Sequence, residues 1–166
     1  LSDQAGEQLE DMAQRAHQLT ARHFGKTISL YAPLYLSNYC TGGCAYCGFA
    51  ADRNQPRHRL EHADIEKECK ALRSHGFEDI LLLTGEETPE ADYNYLRESV
   101  KLCSGYFHAV SVESFAMTQE QYAGLVAAGC TGVTLYQETY DPELYAEMHR
   151  WGPKRDFMFR LNAPES

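Results

Sequence analysis

Apolar and polar positions along the chain fall into alternating helical and extended blocks. Leu9, Met12, Ala16, Leu19 and His23 recur at spacings of three and four, which places them on one face of a helix, and Gly25 offers a stop. Residues 28–36 read as a strand. A second helix is predicted over residues 63–75, with Ile65, Cys69 and Leu72 along its stripe. Residues 79–84 are a nearly continuous apolar run, as expected of a strand buried on both faces of a parallel sheet. After Pro89 a third helix carries Tyr93, Leu96, Val100 and Cys103 on one side. Residues 107–113 read as a strand, and 118–128 as a helix opened by a capping box of Thr118 and Gln121. Residues 132–137 form the next strand, 141–150 a helix with Pro142 in its first turn, and 157–161 a fifth strand.

Gly76, Gly105 and Gly129 each lie just before a new strand, so the strand–helix unit repeats. Such alternation implies an α/β fold of parallel βα units. Five strands are too few for a closed eight-stranded barrel, which takes about 250 residues. The expectation is the first part of a barrel rather than an open sheet complete in itself, because the last predicted strand lacks its helix.

Composition narrows the function classes. Of 166 residues, 43% are hydrophobic and 23% charged, as in ordinary globular domains. A net charge of −9 argues against a phosphate-tracking nucleic-acid surface. No apolar run approaches the roughly 20 residues of a membrane helix, and residues 1–14 lack the basic and apolar regions of a signal peptide. Three of six cysteines lie within residues 40–47. Disulfides between such close neighbours are geometrically awkward, so the cluster reads as a metal site in a reducing compartment, the cytoplasm.

The central motif is Cys40-Thr41-Gly42-Gly43-Cys44-Ala45-Tyr46-Cys47, a Cys-x3-Cys-x2-Cys pattern directly after the first strand. That position is the strand's C-terminal end, where βα folds build active sites. Thiolates suit iron–sulfur clusters and zinc. Three ligands leave one iron of a four-iron cluster open, and an open position marks a catalytic site. Gly42 and Gly43 let the loop wrap closely. The competing assignment is a non-catalytic zinc module, which needs a fourth ligand such as His58.

The pattern with an aromatic before its last cysteine resembles the signature of the radical-SAM superfamily. Further segments are similar to its aromatic-amino-acid lyases: Pro33-Leu34-Tyr35-Leu36-Ser37-Asn38-Tyr39-Cys40, Tyr46-Cys47-Gly48-Phe49, Leu83-Thr84-Gly85-Glu86 and Tyr136-Gln137-Glu138-Thr139-Tyr140. Among these the chain looks most like the tyrosine lyases of thiamin thiazole biosynthesis, with the tyrosine lyase of FeFe-hydrogenase maturation as the alternative. The resemblance implies a 4Fe-4S cluster on Cys40, Cys44 and Cys47, and S-adenosyl-L-methionine (SAM) on its open iron. It implies cleavage of the Cα–Cβ bond of L-tyrosine to 2-iminoacetate (dehydroglycine) and p-cresol. Implied partners are a flavodoxin or ferredoxin-type reductant and a thiazole synthase. On this view residues 1–27 are a helix packing on the barrel, and 28–166 a half-barrel with its cluster loop at 40–47.

Resemblance also assigns roles around the cluster. Tyr46 would lie beside the SAM adenine, and the Gly85-Glu86 turn would meet the SAM amino group. Thr84 stands there in place of a first glycine. Ser111 and Glu113, on one face by period two, are both candidates for the SAM ribose. Arg160, placed on the fifth strand, would need a buried anion, for which the SAM carboxylate is the candidate. Gln137 and Glu138 end the fourth strand on opposite faces as catalytic or substrate-holding candidates. Cys69, Cys103 and Cys130 read as core packing. Arg53, Arg57 and Arg59 read as a solvated basic stretch.

Overall fold

A computed structural model describes residues 3–165. Its centre is a parallel sheet of four strands in sequential order: β1 (Tyr31–Tyr35), β2 (Asp79–Leu83), β3 (Ala109–Glu113) and β4 (Gly132–Thr134). Helices α2 (His62–Ser74), α3 (Tyr93–Ser104) and α4 (Gln119–Ala127) cross between them. An α1 helix (Leu9–Phe24) precedes the sheet, and α5 (Pro142–Met148) and α6 (Phe157–Asn162) follow it. This is the open arc of parallel βα units expected from the sequence.

Period-two alternation decides what each face of the sheet meets. Ala32, Leu34, Ile80, Leu82, Val110 and Val112 point to one side and are buried. Ile65 and Cys69 of α2, Leu96, Val100 and Cys103 of α3, and Leu125 of α4 close over them. Leu82 is wholly inaccessible, which stabilises the fold by about 2–3 kcal/mol relative to an exposed side chain. The opposite face carries Pro33, Tyr35, Leu83, Ser111, Glu113 and Thr134 in matched register, and it is the inner face of the half-barrel.

The capping box forms as predicted: Thr118 Oγ1 accepts from the Gln121 amide at 3.3 Å, and Gln121 Oε1 from the Thr118 amide at 2.9 Å. Gly129, at φ +105°, ends the turn after α4 in a conformation that side-chain-bearing residues avoid.

Three expectations are corrected. Residues 157–161 are helical, not a fifth strand. Asp156 caps this α6 by accepting from the Phe159 amide at 2.9 Å, and a short apolar run by itself does not separate helix from strand. The strand predicted over 28–36 is confined to Tyr31–Tyr35, and that over 132–137 to Gly132–Thr134. Finally, α1 buries none of its residues, and its stripe of Leu9, Met12 and Leu19 faces solvent. Among the described residues its side chains make no buried contact with the sheet or with α2, α3 and α4, so the packing on the barrel expected of it is not made. No helix among the described residues is long and apolar enough to cross a membrane.

Candidate active site

The loop after β1 holds its shape through backbone carbonyls tied down by arginines. Arg57 donates to the carbonyls of Asn38, Phe49 and Ala50 at 2.6–2.8 Å. Arg53 donates to Ala45 at 2.7 Å and to Cys47 at 3.4 Å. A second segment, residues 148–155, clamps the loop from outside. The amides of Gly43 and Ala45 donate to the carbonyls of Trp151 and Met148, and Arg150 Nε returns to the Gly43 carbonyl at 2.9 Å. Gly152 has φ +92°, and a Cβ there would meet the Gly42 Cα at 2.8 Å, so conformation and close approach both demand glycine.

Cys44 is buried, and Cys40 and Cys47 are half-buried. The Cys40 sulfur accepts from the amides of Gly42 (3.3 Å) and Glu86 (3.4 Å), and that of Cys47 from Phe49 (3.3 Å). Such donors to sulfur tune iron–sulfur centres. Burial pushes the Cys44 thiol up, partly opposed by the charge of Lys154. Among the described residues no group of three or more His, Cys, Asp or Glu is arranged around a single ion. His58, the fourth ligand that zinc would need, is exposed.

The loop forms one wall of a cleft of about 340 Å³, within the range of small-molecule sites. Of the residues singled out in the sequence, Cys40, Cys44, Cys47, Tyr46, Gly85, Glu86, Glu113, Glu138 and Arg160 line it together. Ser111 and Gln137 do not. Register explains the first: Ser111 lies two residues before Glu113 on the same face, deeper along the strand. Gln137 turns its side-chain nitrogen into the protein, where it is buried without a partner.

Gly85 sits directly against the loop, where a Cβ would collide with the Tyr39 carbonyl and the Cys40 side chain. Next to it, Glu86 Oε1 pairs with Arg160 at 3.0 Å, both side chains under a tenth exposed. Burial pushes the Glu86 carboxyl up, and Arg160 draws it back. Arg160 Nε also donates to the Tyr136 carbonyl at 2.7 Å. Arg160 therefore reaches the cleft from helix α6 rather than from a strand, and its anion in this structure is Glu86. Glu138, at φ +71°, occupies a backbone region that costs a non-glycine residue of order 1–3 kcal/mol. Its carboxylate pairs with Lys154 at 2.6 Å, which outweighs burial and holds it below the usual carboxylate range. Burial, with the charge of Glu138, pushes Glu113 up.

Sequence reasoning missed three residues here. Lys154 lines the cleft, and only the tertiary clamp brings it there. Ser114, one residue beyond the strand candidates, has its hydroxyl buried without a partner at the same wall. His149 is fully buried and joins Tyr46 Oη at 2.7 Å through Nε2, while Nδ1 lies 2.8 Å from the Tyr145 carbonyl. A carbonyl only accepts, so Nδ1 carries the proton and the Tyr46 hydroxyl donates to Nε2. The three thiols and the unpartnered Ser114 hydroxyl fit a bound iron–sulfur cluster with a polar ligand beside it.

Comparison with known proteins agrees with this geometry. The profile of the Radical SAM superfamily matches residues 34–163. The chain is 43% identical over 165 residues to 2-iminoacetate synthase of Salmonella typhimurium, covering 99% of this chain and 44% of that protein. It thus spans less than half the length of this relative. Among solved structures it is similar to HydG, a maturase of the FeFe-hydrogenase, with a TM-score of 0.91 and 29% identity, covering 99% of this chain and 37% of that one. The methylornithine synthase PylB matches with a TM-score of 0.83 and 28% identity, over 99% of this chain and 48% of that one. A matched profile over most of the chain, a three-cysteine loop at the mouth of a parallel βα arc and a cleft beside it make this chain a member of the radical SAM superfamily.

Proposed function

We propose that this chain forms the cluster- and SAM-binding part of a cytoplasmic radical-SAM tyrosine lyase that makes 2-iminoacetate for thiamin thiazole synthesis. The observation that carries the proposal is the juxtaposition of the Cys40–Cys44–Cys47 loop with the Glu86–Arg160 pair across one cleft. Identity of 43% to a 2-iminoacetate synthase, against 29% and 36% to two hydrogenase maturases, favours the thiazole branch. When bound and reduced, the 4Fe-4S cluster and SAM would supply the radical chemistry that cleaves the Cα–Cβ bond of tyrosine.

The chain's own residues have assignable tasks. Cys40, Cys44 and Cys47 hold the cluster. The Gly85-Glu86 turn and the Ser114 hydroxyl offer polar groups to SAM, and the Glu86–Arg160 pair presents a guanidinium to its carboxylate. Tyr46, steadied by His149, would pack against the adenine of SAM. Glu113, Glu138 and Lys154 complete the polar wall. The loop and its clamp keep water from the buried Cys44, as radical chemistry requires. Reducing power comes from a flavodoxin or ferredoxin-type carrier, and the product passes to a thiazole synthase.

The test is anaerobic. The iron- and sulfide-loaded protein, extended to the length of its relatives, is given reductant, SAM and tyrosine, and products are separated by chromatography. The proposal expects p-cresol and 5′-deoxyadenosine together. Deoxyadenosine without p-cresol would overturn the tyrosine assignment, and a colourless zinc protein giving neither product would overturn the cluster itself.

A further inference from the structure

The chain is acidic as a whole, but its charge is not evenly spread. Residues 40–59 and 148–155 hold six of the 15 Lys and Arg and one of the 24 Asp and Glu. Lys154 is paired with Glu138 in the cleft, Arg59 with Glu61, and Arg57 is turned onto backbone carbonyls, so the charge these segments present outward rests on Arg53, Arg150 and Arg155 against Asp52. The fold brings these two segments together, because the second is the clamp on the outside of the first. Arg53, Arg150 and Arg155 are all exposed on that outer side. They form a contiguous set: Arg53 bonds the carbonyls of Ala45 and Cys47, Arg150 bonds that of Gly43, and Arg155 donates to the Arg150 carbonyl at 3.2 Å. Asp52 is the one acid among them, and Arg150 neutralises it at 2.9 Å.

An exposed aromatic lies in the middle of this patch. Trp151, the single tryptophan of the chain, packs its ring on Gly43, next in sequence to Cys44. The Arg150 guanidinium lies 4.6 Å from the Trp151 ring centroid. Arginine and tryptophan are the residues that most often anchor transient interfaces. The clamp side is a solvent-exposed approach to the loop.

We infer that this outer face, centred on Trp151 and ringed by Arg53, Arg150 and Arg155, is the docking surface for an acidic one-electron carrier protein. The inference rests on the cluster reading above and adds to it the place where the electron enters. The docked carrier loses one electron and the cluster gains it; no bond forms or breaks and no proton moves. Opposite charge raises the encounter rate of such short-lived complexes, and salt screens it.

The experiment uses an acidic flavodoxin as probe, with Arg155→Glu as the charge reversal, since Arg155 touches neither the cleft nor a cysteine. Cluster reduction by the reduced flavodoxin is followed as loss of visible absorbance, in low and high salt. Photoreduced deazaflavin, a small neutral donor, serves as reference. Binding of dye-labelled oxidised flavodoxin to the metal-free protein is read separately by anisotropy. The expected result is that high salt and Arg155→Glu each slow the flavodoxin reaction about tenfold, that Arg155→Lys restores it, and that deazaflavin reduces all forms alike. Flavodoxin binding to the metal-free protein should weaken in parallel. Flavodoxin reduction and binding indifferent to salt and to Arg155→Glu would overturn the docking surface. Failure of deazaflavin to reduce any form would overturn the cluster reading instead, and the anisotropy measurement would still decide the surface.

Discussion

Arg160 and Glu86 are an ion pair closed off from water, and such pairs are costly to break from one side. Replacing Arg160 with methionine leaves an unpaired buried carboxylate, at a cost of about 3–5 kcal/mol. In a chain of this size that lowers the melting temperature by about 10 °C. The double change Arg160→Met with Glu86→Leu should recover most of that loss in calorimetry while abolishing SAM binding, which separates stability from function. His149 acts through Tyr46, to which it presents its unprotonated Nε2. His149→Phe keeps the ring packed between Tyr145 and Tyr46 but removes the acceptor. About 1 kcal/mol of hydrogen bonding is lost. The expected outcome is a severalfold rise in KM for SAM with little change in kcat, measured as deoxyadenosine release; a collapse of kcat at unchanged KM would contradict a positioning role.

At the scale of elements, the turn after β2 and the loop after β1 are built as one unit. Gly85 is the contact point, and any side chain there presses on the Tyr39 carbonyl and Cys40. Gly85→Ala should therefore displace the first cysteine and lower the iron bound per chain by at least half, read by metal analysis after reconstitution. Gly48→Ala is the matched control: it lies in the same loop with nothing near its missing side chain, and it should bind iron normally. The helices on the outer face have a different task. Cys69 of α2 and Cys103 of α3 place their sulfurs 3.6 Å apart in the core, where they behave as small apolar side chains rather than as ligands.

At the scale of the whole molecule, the arc leaves its inner face and the edges of β1 and β4 open, and it divides the six cysteines into two populations. Cys69 and Cys103 are sealed between α2 and α3 and Cys130 is buried beside α4, whereas Cys40, Cys44 and Cys47 line the cleft, with Cys44 the most deeply buried of the three. A thiol reagent should accordingly react quickly with Cys40 and Cys47 in the metal-free folded protein, with neither once the cluster is in place, and with all six after unfolding. Rapid labelling of Cys69 or Cys103 in the folded state would show that the α2–α3 core is open. Much of this was legible in the sequence, for reasons of locality. The period of apolar residues marks α2, α3, α4 and the strands between them, together with the face of each that is buried. The spacing of Cys40, Cys44 and Cys47 marks a thiolate metal site, because all three lie on one short loop, and the family resemblance points that site to a cluster. The segment from 157 to 161 was misread because an apolar run of five residues fits either period and its cap, Asp156, acts only once the backbone turns. Lys154, His149 and Trp151 reach the cluster loop from about a hundred residues away, through a clamp of backbone hydrogen bonds that no local pattern encodes. The sequence by itself determined the order of the main βα units, the three-cysteine motif and the family resemblance, because each of these is written locally along the chain. Tertiary structure alone decided that Arg160 meets Glu86, that Ser111 lies too deep and Ser114 at the wall, and that the basic residues of an acidic chain gather around its cysteines, because each of these depends on register and on contacts between distant segments.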